Sequence, residues 1–173
     1  MNVAIVGSEG FIGKSLIKNL QEIQNLELFR FGSKARNDIN KYNVIDFFDD
    51  NLLMNQFKNI DLVVYLASTS IPSTSWLNPV SDLKNNLLGF VNFLDAIVKT
   101  TNVKKILFIS SAGTIYGNSD KSLNEESMKN PFSPYGISKL SMEYYLQYFS
   151  VKHNLKYTIL RVSNVFGPGQ NTK

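Results

Sequence analysis

Tyr135 and Lys139 are the residues whose types and spacing point first to chemistry. They lie four positions apart, just after Ser133-Pro134, a capping hydroxyl followed by a residue suited to a helix's first turn. Leu140, Tyr144, Tyr145, Leu146 and Phe149 then recur at helical spacing. The pattern predicts a helix from about Pro134 to Lys152 with Tyr135 and Lys139 on one face. A phenol titrates near ~10 and is a poor base at neutral pH, whereas a neighbouring cation favours the phenolate. Holding the proton off near pH 7 takes about 4 kcal/mol of differential interaction. Such a pair suits a proton shuttle. It also occurs on many ordinary helices, so its weight depends on what other stretches bring beside it.

The first of those stretches is Gly7-Ser8-Glu9-Gly10-Phe11-Ile12-Gly13. It follows Val3-Ala4-Ile5-Val6, a short apolar run that reads as a buried parallel strand, and it opens an amphipathic helix to about Glu22. Strand, glycine turn and helix come in the order a dinucleotide site requires. Gly7 allows the tight turn, Gly10 lets backbone approach a pyrophosphate, and Gly13 lets helix and strand pack closely. The spacing is one residue wider than the commonest fingerprint. A glycine-rich turn with no ligand is the plainer alternative.

Further strands are expected at Leu26–Phe31, Val44–Phe47, Asp61–Ala67, Lys105–Ser110 and Tyr157–Val162. Ile71–Pro79 reads as a Ser/Pro-rich loop carrying the only tryptophan, Trp76. A long helix then runs from about Leu83 to Thr100, capped by Ser81 or Asp82, with Asn85 and Asn86 in its first turns. Hydroxyls cluster in Ser110-Ser111-Ala112-Gly113-Thr114-Ile115-Tyr116-Gly117, just past a strand's carboxyl end, where open α/β sheets place ligands. A Ser/Thr turn bonding its own backbone would look the same. The second strand ends without the carboxylate that would favour an adenosine ribose and repel a 2′-phosphate. Asp38 lies further on, and Arg30, Lys34 and Arg36 either hold a phosphate or are solvated loop charges.

The 173 residues suffice for one domain with a full core. No apolar run approaches a membrane span, and no leader is evident. With no cysteine and one histidine, His153, thiolate chemistry is excluded and no metal-ligand cluster is expected. A net charge of +4 is spread along the chain rather than gathered into a nucleic-acid-binding patch. Strands alternating with helices imply an α/β fold, a doubly wound parallel sheet. The glycine turn, Ala67–Ser70, Ser110–Thr114 and Ser163–Asn164 each follow a strand's carboxyl end, so they converge on one edge with Tyr135 and Lys139.

Taken with Asn85-Asn86-Leu87-Leu88-Gly89 and Leu160-Arg161-Val162-Ser163-Asn164-Val165-Phe166-Gly167-Pro168, these motifs resemble the extended short-chain dehydrogenase/reductases. Within them the chain is most similar to the nucleotide-sugar epimerase/dehydratase family, near the UDP-glucose 4-epimerases. The resemblance implies a Rossmann-type fold holding NAD, or NADP, over Gly7, Gly10, Phe11, Ile12 and Gly13. Asp46 and Phe47 would lie near adenine, with Ala67, Ser68 and Asn86 along the rest of the cofactor. Tyr135 would exchange a proton with a sugar hydroxyl, Lys139 would bind the nicotinamide ribose, and Asn164 would sit near the sugar-nucleotide phosphates. The family's usual catalytic Ser/Thr falls on Ala112, so Ser111 or Thr114 would have to serve, with Thr114 preferred for the catalytic role and for contact with the substrate. Thr114 also stands where family dehydratases carry glutamate, which disfavours water elimination.

Epimerisation through a transient 4-keto sugar is therefore expected, in the cytoplasm and in surface-polysaccharide precursor synthesis. A 4-keto reductase and a non-catalytic dinucleotide-binding module are the alternatives. Family members are longer, and residues 1–173 are expected to be the cofactor domain of a larger protein, without its substrate domain and inactive alone. The helices at Leu83–Thr100 and Pro134–Lys152 carry apolar faces that fit either a core or a second copy. No nucleic-acid or membrane partner is expected.

Overall fold

The computed structural model describes residues 1–99 and 102–170. Six strands form one sheet, every pairing parallel: β1 (Asn2–Val6), β2 (Glu27–Gly32), β3 (Tyr42–Val44), β4 (Leu62–Tyr65), β5 (Lys105–Ser111) and β6 (Lys156–Val162). Their order across the sheet is β3-β2-β1-β4-β5-β6. The chain lays strands to one side of β1, then to the other, so β1 and β4 flank the point where the winding reverses.

Strand side chains alternate between faces, and β1 shows the division directly. Val3 and Ile5 pack with Ile17 of α1 (Phe11–Leu20) on one face. Ala4 and Val6 join the larger core on the other, under α2 (Asp50–Phe57), α5 (Gly89–Lys99) and α7 (Pro134–His153). Aromatic rings fill that core. Phe31 stacks on Phe57 at 4.6 Å, and Tyr65 meets Phe90 edge-on at 4.7 Å.

Several boundaries differ from the sequence expectation. The third strand is Tyr42–Val44 rather than Val44–Phe47. Ile45 still donates to Gly32 O at 3.0 Å and is buried, but beyond it the chain turns, and the exposed Asp46 accepts from Phe48 N. The expected loop Ile71–Pro79 contains α3 (Pro72–Leu77), started by Pro72 and by the Thr74 hydroxyl, which accepts from Ile71 N at 3.0 Å.

The long helix begins earlier than expected, as α4 (Pro79–Asp82). Its cap is Asn78, whose side chain accepts from Ser81 N at 3.0 Å, in place of Ser81 or Asp82. The run continues through a π segment (Leu83–Leu88) into α5. The predicted last residue of that helix, Thr100, lies outside the described residues. Among the described residues no helix is long and apolar enough to cross a membrane.

Candidate functional site

Parallel strands put all their carboxyl ends on one edge of the sheet, and three clefts run along that edge. The first, about 310 Å³, lies at the β2–β3 side; the second, about 350 Å³, spans the β1–β4 switch point; the third, about 480 Å³, opens beside β6. The first two share Gly7, Gly10, Leu66 and Ser68, and the last two share Ser111, Tyr135, Ser163 and Val165. Shared walls make them one trough.

The glycine turn forms its floor. Gly7 has φ +90°, and a Cβ there would stand 2.8 Å from Ala67 N. At Gly13 a Cβ would meet Gly7 O at 2.5 Å, so helix and strand pack too closely for any side chain. Gly10 caps α1 with no side-chain acceptor, and α1 has no acidic residue in its first turn. The helix therefore presents uncapped amides to the trough, a site suited to an anion. Gly10, Phe11, Ile12 and Gly13 all line this section.

At the β2–β3 end the walls include Phe47, Ala67 and Ser68, together with Lys34 and Arg36. Arg30 is on β2, beside Tyr42, and does not line the trough. Asp46 is also off the wall. Arg36 is clamped between two carboxylates. It makes two bonds of 2.9 Å to Asp38 and one of 2.9 Å to Glu9, from the glycine turn itself. The guanidinium beside Asp38 holds that carboxyl down at about 2.

Tyr135 and Lys139 line the central section, as the spacing predicted. Ser133 caps α7, its hydroxyl accepting from Gly136 N at 3.1 Å, and Ser75 of α3 accepts from Tyr135 N at 3.2 Å. Lys139 Nζ donates to Ile109 O at 3.0 Å and stands 5.7 Å from the Tyr135 ring centre and 4.9 Å from that of Phe108. Burial pushes the Lys139 ammonium down to about 8 against the opposing pull of Asp82. The Tyr135 phenol moves the opposite way. Burial raises the phenol above its ordinary value, and the Asp82 carboxylate raises it further.

Beyond Tyr135, Ser111 lines both the central and the β6-side cleft, while Thr114 and Asn164 line the latter only. The Thr114 hydroxyl is buried, with no hydrogen-bond partner among the described residues. Trp76 and Phe132, each 57% exposed, form a tilted ring pair at 6.5 Å on the opposite wall.

Asn86 stands one layer behind the trough. Its side-chain oxygen accepts from Thr69 N at 2.8 Å, and its amide donates to Ser70 and Asp82 at 2.9 Å. Asn86, the Ala67–Ser70 stretch and the Ser110–Thr114 hydroxyls were picked out from sequence, but the bonds that join Asn86, Ser70 and Asp82 were not; the Ser110 hydroxyl is buried on the trough wall with no partner among the described residues. Asp82 carried a signal only as a capping residue. Arg161 is another pin. It bonds Glu143 at 2.7 Å, the Tyr116 hydroxyl at 2.9 Å and Glu125 O at 2.9 Å, tying β6, α7 and the loop after Gly117 together.

Known proteins share this arrangement. The profile of the family described as "NAD dependent epimerase/dehydratase family" matches residues 3–173. A dTDP-4-dehydro-6-deoxyglucose reductase of Escherichia coli is 32% identical over 97% of this chain and 57% of its own length. The crystal structure of a Thermotoga maritima UDP-glucose 4-epimerase with UDP-glucose superposes at a TM-score of 0.88, with 32% identity over 99% of this chain and 58% of that one. A Thermus thermophilus UDP-glucose 4-epimerase in complex with NAD matches at 0.88, with 30% identity over 100% and 58%. The chain thus spans less than two thirds of these relatives. Its sheet order, its glycine turn and the profile match agree: the chain belongs to the NAD-dependent epimerase/dehydratase family.

Proposed function

We propose that residues 1–173 are the dinucleotide-binding domain of a nucleotide-sugar 4-epimerase that acts on a UDP-hexose through a transient 4-keto sugar with NAD retained in the site. The observation that carries this reading is the continuity of the trough. It runs from Phe47 past the glycine turn to Tyr135 and Lys139, and on to Asn164. The trough suits a dinucleotide in its own geometry: no Cβ fits at Gly7 or Gly13, and Ser110 presents a buried hydroxyl with no partner among the described residues.

When bound, NAD supplies a hydride acceptor and donor and, oxidised, a positive charge. The chain's residues do the rest. The uncapped amides at the start of α1 take the pyrophosphate, and Phe47, Ala67 and Ser68 shape the adenosine end. Lys139 bonds one carbonyl, which leaves two ammonium donors for the nicotinamide ribose. Tyr135 takes the proton of the sugar hydroxyl as hydride leaves carbon and returns it when hydride comes back. Ser111, which lines both the central and the β6-side sections, holds the same oxygen more directly than Thr114, whose hydroxyl is turned into the protein. Asn164 faces the substrate phosphates. With Thr114 in place of a glutamate, the chain lacks a carboxylate for water elimination.

Two carboxylates around Arg36 support NAD over NADP. A 2′-phosphate there would meet Glu9 and Asp38, and three of the guanidinium N–H groups are already engaged. A 4-keto reductase is the second reading, favoured by Lys34 at the adenosine end and by the likeness to the Escherichia coli reductase. Ala112 at the usual hydroxyl position favours a non-catalytic module.

The test is to denature the complete gene product, purified without added cofactor, and identify the nucleotide released. NAD or NADH supports the epimerase. An empty site preferring NADPH supports the reductase, and no affinity for either overturns both. Tyr135→Phe in the same protein is expected to lower turnover by about 10²–10⁴-fold with cofactor retained; unchanged turnover would refute its role.

A further inference from the structure

Asp82 is a buried carboxylate, 1% exposed, that forms no ion pair among the described residues. It ends α4, where the chain passes into the π segment. Three donors from three parts of the fold converge on it. The Ser70 hydroxyl, from the loop after β4, and the Asn86 amide, at 2.9 Å, reach Oδ1. The Ser138 hydroxyl, from α7, reaches Oδ2 at 2.5 Å. Ser138 is the residue before Lys139 and lies three after Tyr135.

We propose that Asp82 is a positioning residue for Tyr135 and Lys139, one that docks the first turns of α7 through Ser138 and sets the electrostatics of the pair with a buried negative charge. A carboxylate suits this place better than an amide, because all three neighbours donate and an asparagine would turn a donor of its own toward one of them. A buried charge without a contacting cation acts at long range through a weakly screening interior.

Both members of the pair respond to it. Asp82 adds to the burial that raises Tyr135 and opposes the burial that brings Lys139 to about 8. Among the described residues no other titratable group competes from the elements packed around it. α3 carries none, the π segment brings only Lys84, which is exposed, and on α7 Glu143 is paired to Arg161. The remaining α7 groups on this side are Tyr135 and Lys139 themselves.

The test reads Lys139 directly, in the 173-residue chain without nucleotide, from the pH titration of its 13Cε resonance, assigned with Lys139→Gln. In Asp82→Asn the Lys139 midpoint is expected to fall by about one pH unit, because the neighbouring negative charge is gone. In Ser138→Ala the charge stays, so the midpoint is expected to hold while the melting temperature falls. An unmoved midpoint in Asp82→Asn, with only a lower melting temperature, would reduce Asp82 to a staple and overturn the assignment. Should Asp82→Asn not fold, Asp82→Ser, which also removes the charge, is read in its place: a lower Lys139 midpoint supports the proposal, and an unmoved one overturns it. The assignment of roles to Tyr135 and Lys139 rests on the proposed function, but this titration does not. A moved midpoint in this chain, beside a complete gene product that binds no dinucleotide, would sink the epimerase reading and leave Asp82 in place.

Discussion

Tyr135 holds its proton tightly in the unliganded chain, because burial and the Asp82 carboxylate both oppose the phenolate. Its base strength must then come from added positive charge, and Lys139, partly neutral above about pH 8, supplies only part of it. At the opposite end of the trough the same arithmetic decides between cofactors. Glu9 and Asp38 bring two negative charges to one guanidinium, all on an exposed surface where each contact is screened and individually modest. Removing both carboxylates in Glu9→Gln with Asp38→Asn is expected to free Arg36 and improve NADPH affinity relative to NADH by about tenfold, roughly the effect of one charge-assisted hydrogen bond. Parallel titrations of the two nucleotides check this; an unchanged ratio would show that Arg36 does not face the ribose.

At the scale of elements, the turn between β1 and α1 tolerates least. Alanine at Gly13 would press its methyl against Gly7 O and Ser8 O at 2.5 and 2.7 Å, both backbone atoms that cannot rotate away. Gly13→Ala is expected to destabilise the chain by about 3 kcal/mol, measured by denaturant unfolding, and to weaken dinucleotide binding with it. This turn was fully legible in sequence, as were the buried parallel strands, whose apolar β-branched runs have few other readings, and α7, marked by a serine cap and a proline. The polar elements were less legible. α3 has no apolar period, and its start is a local Pro and Thr74 arrangement that a Ser/Pro-rich loop imitates. β3 pairs along only three residues at the sheet edge, so its apolar continuation, Ile45 and Phe47, drew the expected strand beyond the turn. Among site residues, Gly7, Tyr135, Lys139 and Ser111 were reachable because local motifs carry them. Asp82 and Ser138 meet only through the tertiary fold, 56 residues apart, and no local pattern announces that contact.

Across the whole molecule, the outer face of α7 stands out. Ile137, Tyr144, Tyr148 and Val151 are exposed and recur on one stripe of the helix, and Leu83 and Leu88 are exposed on the neighbouring π segment. The sequence expectation that a second copy covers such faces is tested on this stripe. Val151→Glu with Tyr148→Glu is expected to raise the dimer dissociation constant at least about tenfold in sedimentation equilibrium, by setting like charges where apolar surface was buried. A wild-type chain that sediments as a monomer at high concentration would refute the pairing. The other wall of the trough has a consequence of its own. Trp76 is the only indole in the chain, and it stands half exposed beside Phe132 at the end of the trough that Asn164 shares. The indole emission of this chain therefore comes from a single lamp at the β6-side end of the trough, and its colour reports the water around it there.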